Sequence, residues 1–390
     1  MTGGADLLEG PVSLIEQHLR ASAPPVAPRS ITARHALTVW GGDGLPSATE
    51  QSLPLLRAVR PGVVQLHAGP QGLTSHARRA AADVRAAVPG VRLWVGVAWD
   101  GWVDDATSDA SAERLVERVY LPAAMVALGL GAELLVINSE AAGKLHPAEA
   151  RRLACVAIDR IRAECPGLAI GHTAYDHPDY HDEEPGNGRL DADDTGYPWS
   201  AYLGGAAARA TAGVRLPTTG PVDLELPQRY AAPPKPEGKP QPMAIVGALP
   251  ARIASSKASF ERAAKLNWID PGIPVRAYVQ AHHVDARDTA AVGAQEPLAL
   301  WAAPTRLDAD GRRALRVLCA AERGELAAAD LAGADAPVVR AWAQGRVRAK
   351  GDGAWGPAST AAAATWLRAR NLDGDGQLTG ELLSLLQRVA

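Results

Sequence analysis

The chain is poor in phenylalanine, in cysteine and in net charge. A single Phe stands beside ten Trp and seven Tyr in 390 residues, so aromatic volume in a core must come mostly from rings that carry a polar atom. The three cysteines (Cys155, Cys165 and Cys319) are too few, and odd in number, for a disulfide framework. They fall among Ala, Val and Leu on predicted helices, which marks them as buried thiols. Forty basic residues against 43 acidic leave a formal charge of −3, which excludes a global electrostatic footprint for nucleic acid or an anionic membrane. No window holds the roughly 18 consecutive apolar residues that cross a bilayer. The N-terminal segment carries Asp6, Glu9 and Glu16 where a secretory signal would place positive charge and then an apolar run. The protein is therefore expected to be made in the cytoplasm without a signal peptide.

What is present suffices for a large core: 47% of the residues are hydrophobic and 21% charged, a globular composition rather than a disordered one. The length exceeds one ordinary domain and calls for a large unit with a smaller one. Eight short apolar runs recur, at 36–40, 62–68, 91–99, 132–138, 168–175, 221–226, 273–281 and 297–303. Helical patterns fill the intervals at 47–60, 73–88, 111–129, 147–165, 199–212 and 251–267, and a last one at 308–324 opens on Asp308 as N-cap. Only the seventh crossover is thin in helix signal. Near-continuous apolar strands alternating with helices imply a parallel sheet covered on both faces. Eight such units predict a (β/α)8 TIM barrel over 30–326, after an N-terminal extension at 1–29 and before a small all-α domain at 330–390. An open doubly wound sheet is the competing topology, but the first βα turn, WGGDGLP, lacks the G-x-G-x-x-G spacing of a dinucleotide site. The long Pro/Gly/Asp-rich loops at 176–198 and 227–248 follow the fifth and sixth strands, on the rim where such barrels build their sites.

Polar residues close several of these strands. The fourth ends ELLVINSEAAG, and alternation puts Val136, Asn138 and Glu140 on one face with Ile137 and Ser139 on the other. An amide and a carboxyl thus rise together into the layer where barrels keep their chemistry. By the same alternation the sixth strand puts Asp223 and Glu225 on one face, so a second carboxylate is available if Glu225 looks at Glu140 across the mouth. Asp100, in AWDGW, closes the third strand. Trp40, Trp99, Trp102, Tyr175 and Trp301 collect at the same edge, with Gln280 on the seventh strand, and rings so placed stack on pyranose faces. These residues and Asp100 are the candidate substrate contacts.

Two resemblances attach to these motifs. Asn138 and Glu140 are similar to the Asn-x-Glu of endo-β-N-acetylglucosaminidases, in which the Asn orients the substrate acetamido group and the Glu protonates the leaving oxygen. In part the stretch resembles the D-x-x-D-x-D-x-E strand-four motif of chitinase-like hydrolases, with Glu140 as the last carboxylate and Glu133, Val136 and Asn138 at the earlier positions. The resemblance implies substrate-assisted hydrolysis, which needs one protein acid because the sugar supplies the nucleophile. With Glu225 or Asp223 opposite, a two-carboxylate mechanism stays open. Near the C-terminus, Val339-Arg340 with Trp342 and Gln344, then Asp352-Gly353-Ala354-Trp355-Gly356-Pro357 with Thr360, Ala363 and Trp366, then Leu372, Asp375-Gly376 and Thr379, resemble the small peptidoglycan-binding domain of cell-wall hydrolases. Trp355 and Trp366 replace its Phe positions, and both are expected to pack a core too small to do without them.

Histidines compete for the chemistry. His67, His172, His177, His181, His282 and His283 fall near the rim with Asp176, Asp182 and Asp285, from which a metal-dependent amidase or peptidase can be drawn. The spacing opposes it: no strand shows H-x-H and no helix H-E-x-x-H. The expected protein is a cell-wall glycosidase without cofactor or metal, acting on peptidoglycan or a related N-acetylhexosamine glycan. It is expected to have no nucleic-acid or membrane partner, and to be released by lysis, a holin or a phage-tail-like particle. A catalytically silent glycan-binding or structural barrel of such a particle is the alternative.

Overall fold

The computed structural model describes residues 31–41, 44–98, 106–139, 147–174, 199–210, 215–229, 247–265, 267, 269–280, 284–302 and 307–389. The apolar runs form eight parallel strands: β1 (Ala36–Trp40), β2 (Val63–Ala68), β3 (Arg92–Ala98), β4 (Leu134–Asn138), β5 (Ala169–Thr173), β6 (Leu224–Glu225), β7 (Tyr278–Gln280) and β8 (Ala299–Ala302). Each pairs with its sequence neighbour from β1 to β6, and β8 pairs with both β7 and β1. The remaining seam, between β6 and β7, is held by parallel bridges from Glu225 to Val275 and from Gln228 to Tyr278. Across it Arg276 N donates to Glu225 O at 2.8 Å and Arg229 N to Tyr278 O at 2.8 Å. This is the (β/α)8 TIM barrel that the sequence predicts. Its seam is ragged because Pro227 and Pro274 have no N–H to give to the ladder. Their carbonyls still accept, from Tyr278 N at 3.0 Å and from Glu225 N at 2.9 Å. The predicted strand at 221–226 therefore shrinks to two paired residues.

The crossover helices are α1 (Leu45–Val59), α2 (Pro70–Ala87), α3 (Asp109–Leu115), which runs through a π-turn at Val116–Tyr120 into α4 (Leu121–Gly129), and α5 (Pro147–Glu164). After them come α6 (Trp199–Leu203), α7 (Ala206–Ala210), α8 (Ala248–Lys265), α9 (Ala286–Gly293) and α10 (Ala309–Glu322). The single helix predicted over 199–212 is two short ones, because Gly204 and Gly205 break it where a Cβ on Gly205 would lie 2.2 Å from Asn267 O. The thin seventh crossover is the eight-residue α9, started by Asp285, whose side chain accepts from Arg287 N and Asp288 N. Asp308 caps α10 by accepting from Gly311 N at 2.8 Å.

Two apolar layers follow from strand alternation. Ala36, Val63, Trp94, Leu134, Val136, Ala169, Leu224, Leu226, Tyr278 and Ala299 fill the barrel's interior. Leu37, Val39, Leu66, Val95, Ile137 and Ile170 face the helices instead. Chain just before β1 closes the N-terminal end. Arg276, 5.2 Å over the Trp94 ring, donates to Thr32 O at 3.2 Å and Arg34 O at 3.3 Å. Glu133 accepts from Thr32 Oγ1 at 2.7 Å, which makes this early residue of the strand-four stretch a strut at the barrel's base.

Beside that base Glu322 of α10 accepts from His35 N at 2.5 Å. Burial pushes the Glu322 carboxyl up to about 7 and holds the His35 imidazole down to about 3. The unfolded chain gives up the Glu322 proton in the ordinary carboxylate range, whereas the native state keeps it until about pH 7. The stability from this group is thus fully present at low pH and is lost as pH rises towards 7. Glu322→Gln is expected to gain on the wild type by up to about 3 kcal/mol between pH 4.5 and 7. Urea unfolding at both pH values checks this, and a difference that does not change with pH would contradict it.

After a 3-10 turn at Ala328–Leu331 come α11 (Ala336–Arg346), α12 (Pro357–Arg368) and α13 (Gly380–Arg388). Trp342, Trp366, Leu367 and Leu383 belong to the same apolar cluster as the barrel's outer layer. α11 lies directly on α9, since a Cβ on Gly345 would sit 2.1 Å from Ala291 O. The motif residues of this segment are architectural. Gln344, 1% exposed, donates to Asp352 Oδ1 at 3.0 Å and Ala354 O at 2.9 Å and accepts from Gly353 N at 2.8 Å. Arg340 donates to Gly353 O at 2.7 Å. Gly353 has φ +76°, and a Cβ there would lie 2.6 Å from Pro337 O.

Candidate functional site

The inward side chains at the C-terminal strand ends come from separate strands at matched register. Trp40 pairs with His67 across β1 and β2, and Asn138 pairs with Ala98 on one side and Thr173 on the other. Asn138 ends β4 on the same face as Val136 of the interior cluster and is 5% exposed. Trp40 stacks on His67, with ring centroids 4.2 Å apart and 26° between planes, and meets Trp301 edge-on at 6.1 Å. Two of the predicted aromatics and the predicted amide therefore belong to one interior surface.

His67 sits lower in a hydrogen-bonded string. Tyr278 OH and Thr38 Oγ1 are 3.0 Å apart, Thr38 Oγ1 donates to Gln65 Oε1 at 3.4 Å, and Gln65 Nε2 lies 3.0 Å from His67 Nδ1. Gly96 makes room for it: a Cβ there would lie 2.4 Å from both Gln65 Nε2 and His67 Nδ1. An amide NH2 only donates, so Nδ1 accepts and the imidazole proton is on Nε2. Nε2 is buried without a partner, and burial holds the imidazole down to about 3, so it is a neutral donor across the physiological range. Sequence reading placed His67 with possible metal ligands; its alternation with Val63 and Gln65 is the signal that points it inward. Among the described residues no group of three or more His, Cys, Asp or Glu side chains could hold a metal ion.

Asp223 and Glu225 are not part of this surface. Leu224 and Leu226 take the interior places on β6, so the two carboxylates point outward under the helices. Asp223 accepts from Ile170 N at 2.8 Å and from Arg162 of α5 at 3.2 Å. Glu225 Oε2 lies 2.6 Å from His172 Nδ1, and His172 Nε2 lies 2.7 Å from Ser139 Oγ. His172 stacks on Tyr202 of α6 at 3.8 Å and meets Trp199 edge-on at 5.9 Å. The order Ser, His, carboxylate is that of a nucleophile with its base and orienting acid. Yet all three side chains are 0% exposed, so the chain ties β4, β5 and β6 together and offers nothing to a substrate. Burial raises the Glu225 carboxyl above its ordinary range against the pull of His172, and Oε1 has no hydrogen-bond partner. The expectation that Glu225 faces the mouth fails because alternation says which residues share a face, not which face looks inward.

Glu140, Asp100, Trp99, Trp102 and Tyr175 lie outside the described residues, as do His177, His181, His282 and His283 and the Gln280 side chain.

No family model and no curated protein matches the chain. Among solved structures it is similar to a β-glucosidase from Exiguobacterium marinum, at 11% identity over 61% of this chain and 68% of that one with a TM-score of 0.39. It is similar to a GH18 chitinase from Pseudoalteromonas aurantia at 13% identity over 73% and 98%, with a TM-score of 0.38. The spore cortex-lytic enzyme SleL of Bacillus megaterium QM B1551 gives 11% identity over 67% and 52%, with a TM-score of 0.34. Likenesses this distant carry no activity over to the chain, and any activity has to be argued from its own residues.

Proposed function

We propose that the barrel is a glycoside hydrolase acting on peptidoglycan or a related N-acetylhexosamine glycan. The observation that carries this reading is the inward placement of Asn138 at the end of β4, on the same interior surface as the Trp40 and Trp301 pair. Asn138 orients the substrate acetamido group, Glu140 two residues on protonates the glycosidic oxygen, and the tryptophans stack on sugar faces. The outward direction of Asp223 and Glu225 favours the substrate-assisted route, in which the acetamido oxygen attacks the anomeric carbon and one protein acid suffices. Asp100, Trp99, Trp102, Tyr175 and Gln280 complete the cleft, and the helices after residue 330 hold the protein on the wall polymer. Delivery is by lysis, a holin or a phage-tail-like particle.

Incubation with purified peptidoglycan, followed by mass spectrometry of released fragments, tests the assignment. Fragments ending at a hexosamine reducing end are expected, and peptide-bond cleavage would overturn it. The described inward residues around the Trp40 and His67 rings are neutral, which favours as second reading a catalytically silent glycan-binding barrel. Binding to the polymer without release of fragments would establish that reading instead.

A further inference from the structure

Between α8, the end of α9 and helices α11 and α12 lies a cleft with a volume of about 1090 Å³. Among the described residues its charged lining is of one sign: Lys257, Arg346, Arg348 and Arg370, with no Asp or Glu. Such a cluster is out of keeping with a chain whose formal charge is −3, since mixed charges serve solubility better. Arg346 spends its donors on backbone, giving to Leu386 O at 3.1 Å, Ala294 O at 3.0 Å and Val389 O. It fixes the wall and brings a charge that no carboxylate among the described residues balances; burial and the charge of Arg370 both pull its pKa down. Arg370 lies 4.2 Å over the Trp366 ring and, among the described residues, donates only to Trp366 O, at 3.4 Å. Arg348 is exposed at φ 59°, in the left-handed position after α11 where glycine is favoured, and its side chain lines the cleft. Among the described residues only Lys257 of these four has a carboxylate partner, Glu296 at 2.6 Å, and Glu296 does not line the cleft.

We propose that this cleft binds a polyol-phosphate chain, a polymer of phosphodiesters without bases. The cations arrive from three separate elements. The two anionic oxygens of each phosphodiester accept charge-assisted hydrogen bonds, and successive units along a chain can meet cations on different elements. Nucleic acid is disfavoured because unpaired bases need an open aromatic platform, and Trp366 is 9% exposed and covered by Arg370. The site is separate from the barrel mouth and does not depend on glycan hydrolysis there.

Titration calorimetry of the full chain with soluble poly(glycerol phosphate) tests the proposal. Binding that weakens with added salt is expected for the wild type. In the doubly substituted Arg348→Ala/Arg370→Ala protein, which loses two charge-assisted contacts, affinity should fall about tenfold or more. Substituting the exposed Arg78 and Arg79 of α2 by Ala should leave affinity unchanged, and Arg348→Glu alone repeats the loss at an exposed position. No binding by the wild type, unchanged affinity in both cleft variants, or equal affinity for poly-γ-glutamate or oligothymidylate would each overturn it.

Discussion

Glu140→Gln is expected to lower glycan turnover by about 10²–10⁴-fold while leaving the fold and glycan binding intact. A glycosidic oxygen leaves poorly unless it is protonated, and Gln keeps the shape of Glu without a proton to give. Since Glu225 is turned away from the mouth, no other predicted carboxylate on β6 can take over the acid's part. Asn138→Ala is expected to slow the same reaction, because an acetamido group that acts as nucleophile must be held against the anomeric carbon. Turnover of defined N-acetylhexosamine oligomers, read beside circular dichroism and glycan pull-down, makes the comparison. Full activity in Glu140→Gln would end the assignment, and activity abolished by a chelator would transfer it to the histidines.

His172→Ala is expected to cost about 3–5 kcal/mol of stability, the usual consequence of removing one partner of a buried ion pair or hydrogen-bonded chain. The substitution leaves the Glu225 carboxyl without its partner at 0% exposure and opens space against Tyr202. Replacing both partners by apolar groups, as in His172→Phe/Glu225→Leu, should restore part of the loss because no uncompensated buried carboxyl then remains. Urea midpoints at one pH give the comparison. Glu225→Gln separates a strut from a catalytic group: a strut variant that stays folded keeps its turnover, whereas loss of turnover at unchanged stability would return Glu225 to the reaction.

Much of the architecture is legible in the sequence. The run ALTVW spans β1 residue for residue, Asp308 caps the helix it was expected to cap, and Cys155, Cys165 and Cys319 are buried thiols. The ragged β6–β7 seam was less legible, since Pro274 sits inside a run otherwise apolar enough for a strand and Pro227 directly follows another. In the C-terminal helices the motif pattern was readable but its purpose was not: the Gln344 side chain of α11 bonds to both Asp352 and Gly353 in the loop that follows.

What the sequence by itself determined is periodicity: eight apolar runs, the helices between them, and pairs such as Asp223 with Glu225 or Val136 with Asn138 that must share a face. A period of two divides a strand into two faces but does not say which one the barrel will enclose. Tertiary structure decided that. Closing the sheet gave the interior places on β6 to Leu224 and Leu226 and sent Glu225 outward, where its Oε2 meets the imidazole of His172 under α6 and His172 in turn meets the hydroxyl of Ser139. Asn138 went inward by the same rule because its companion Val136 fills the interior. A buried carboxyl goes where polar partners from other strands converge, and that convergence exists only in the closed barrel.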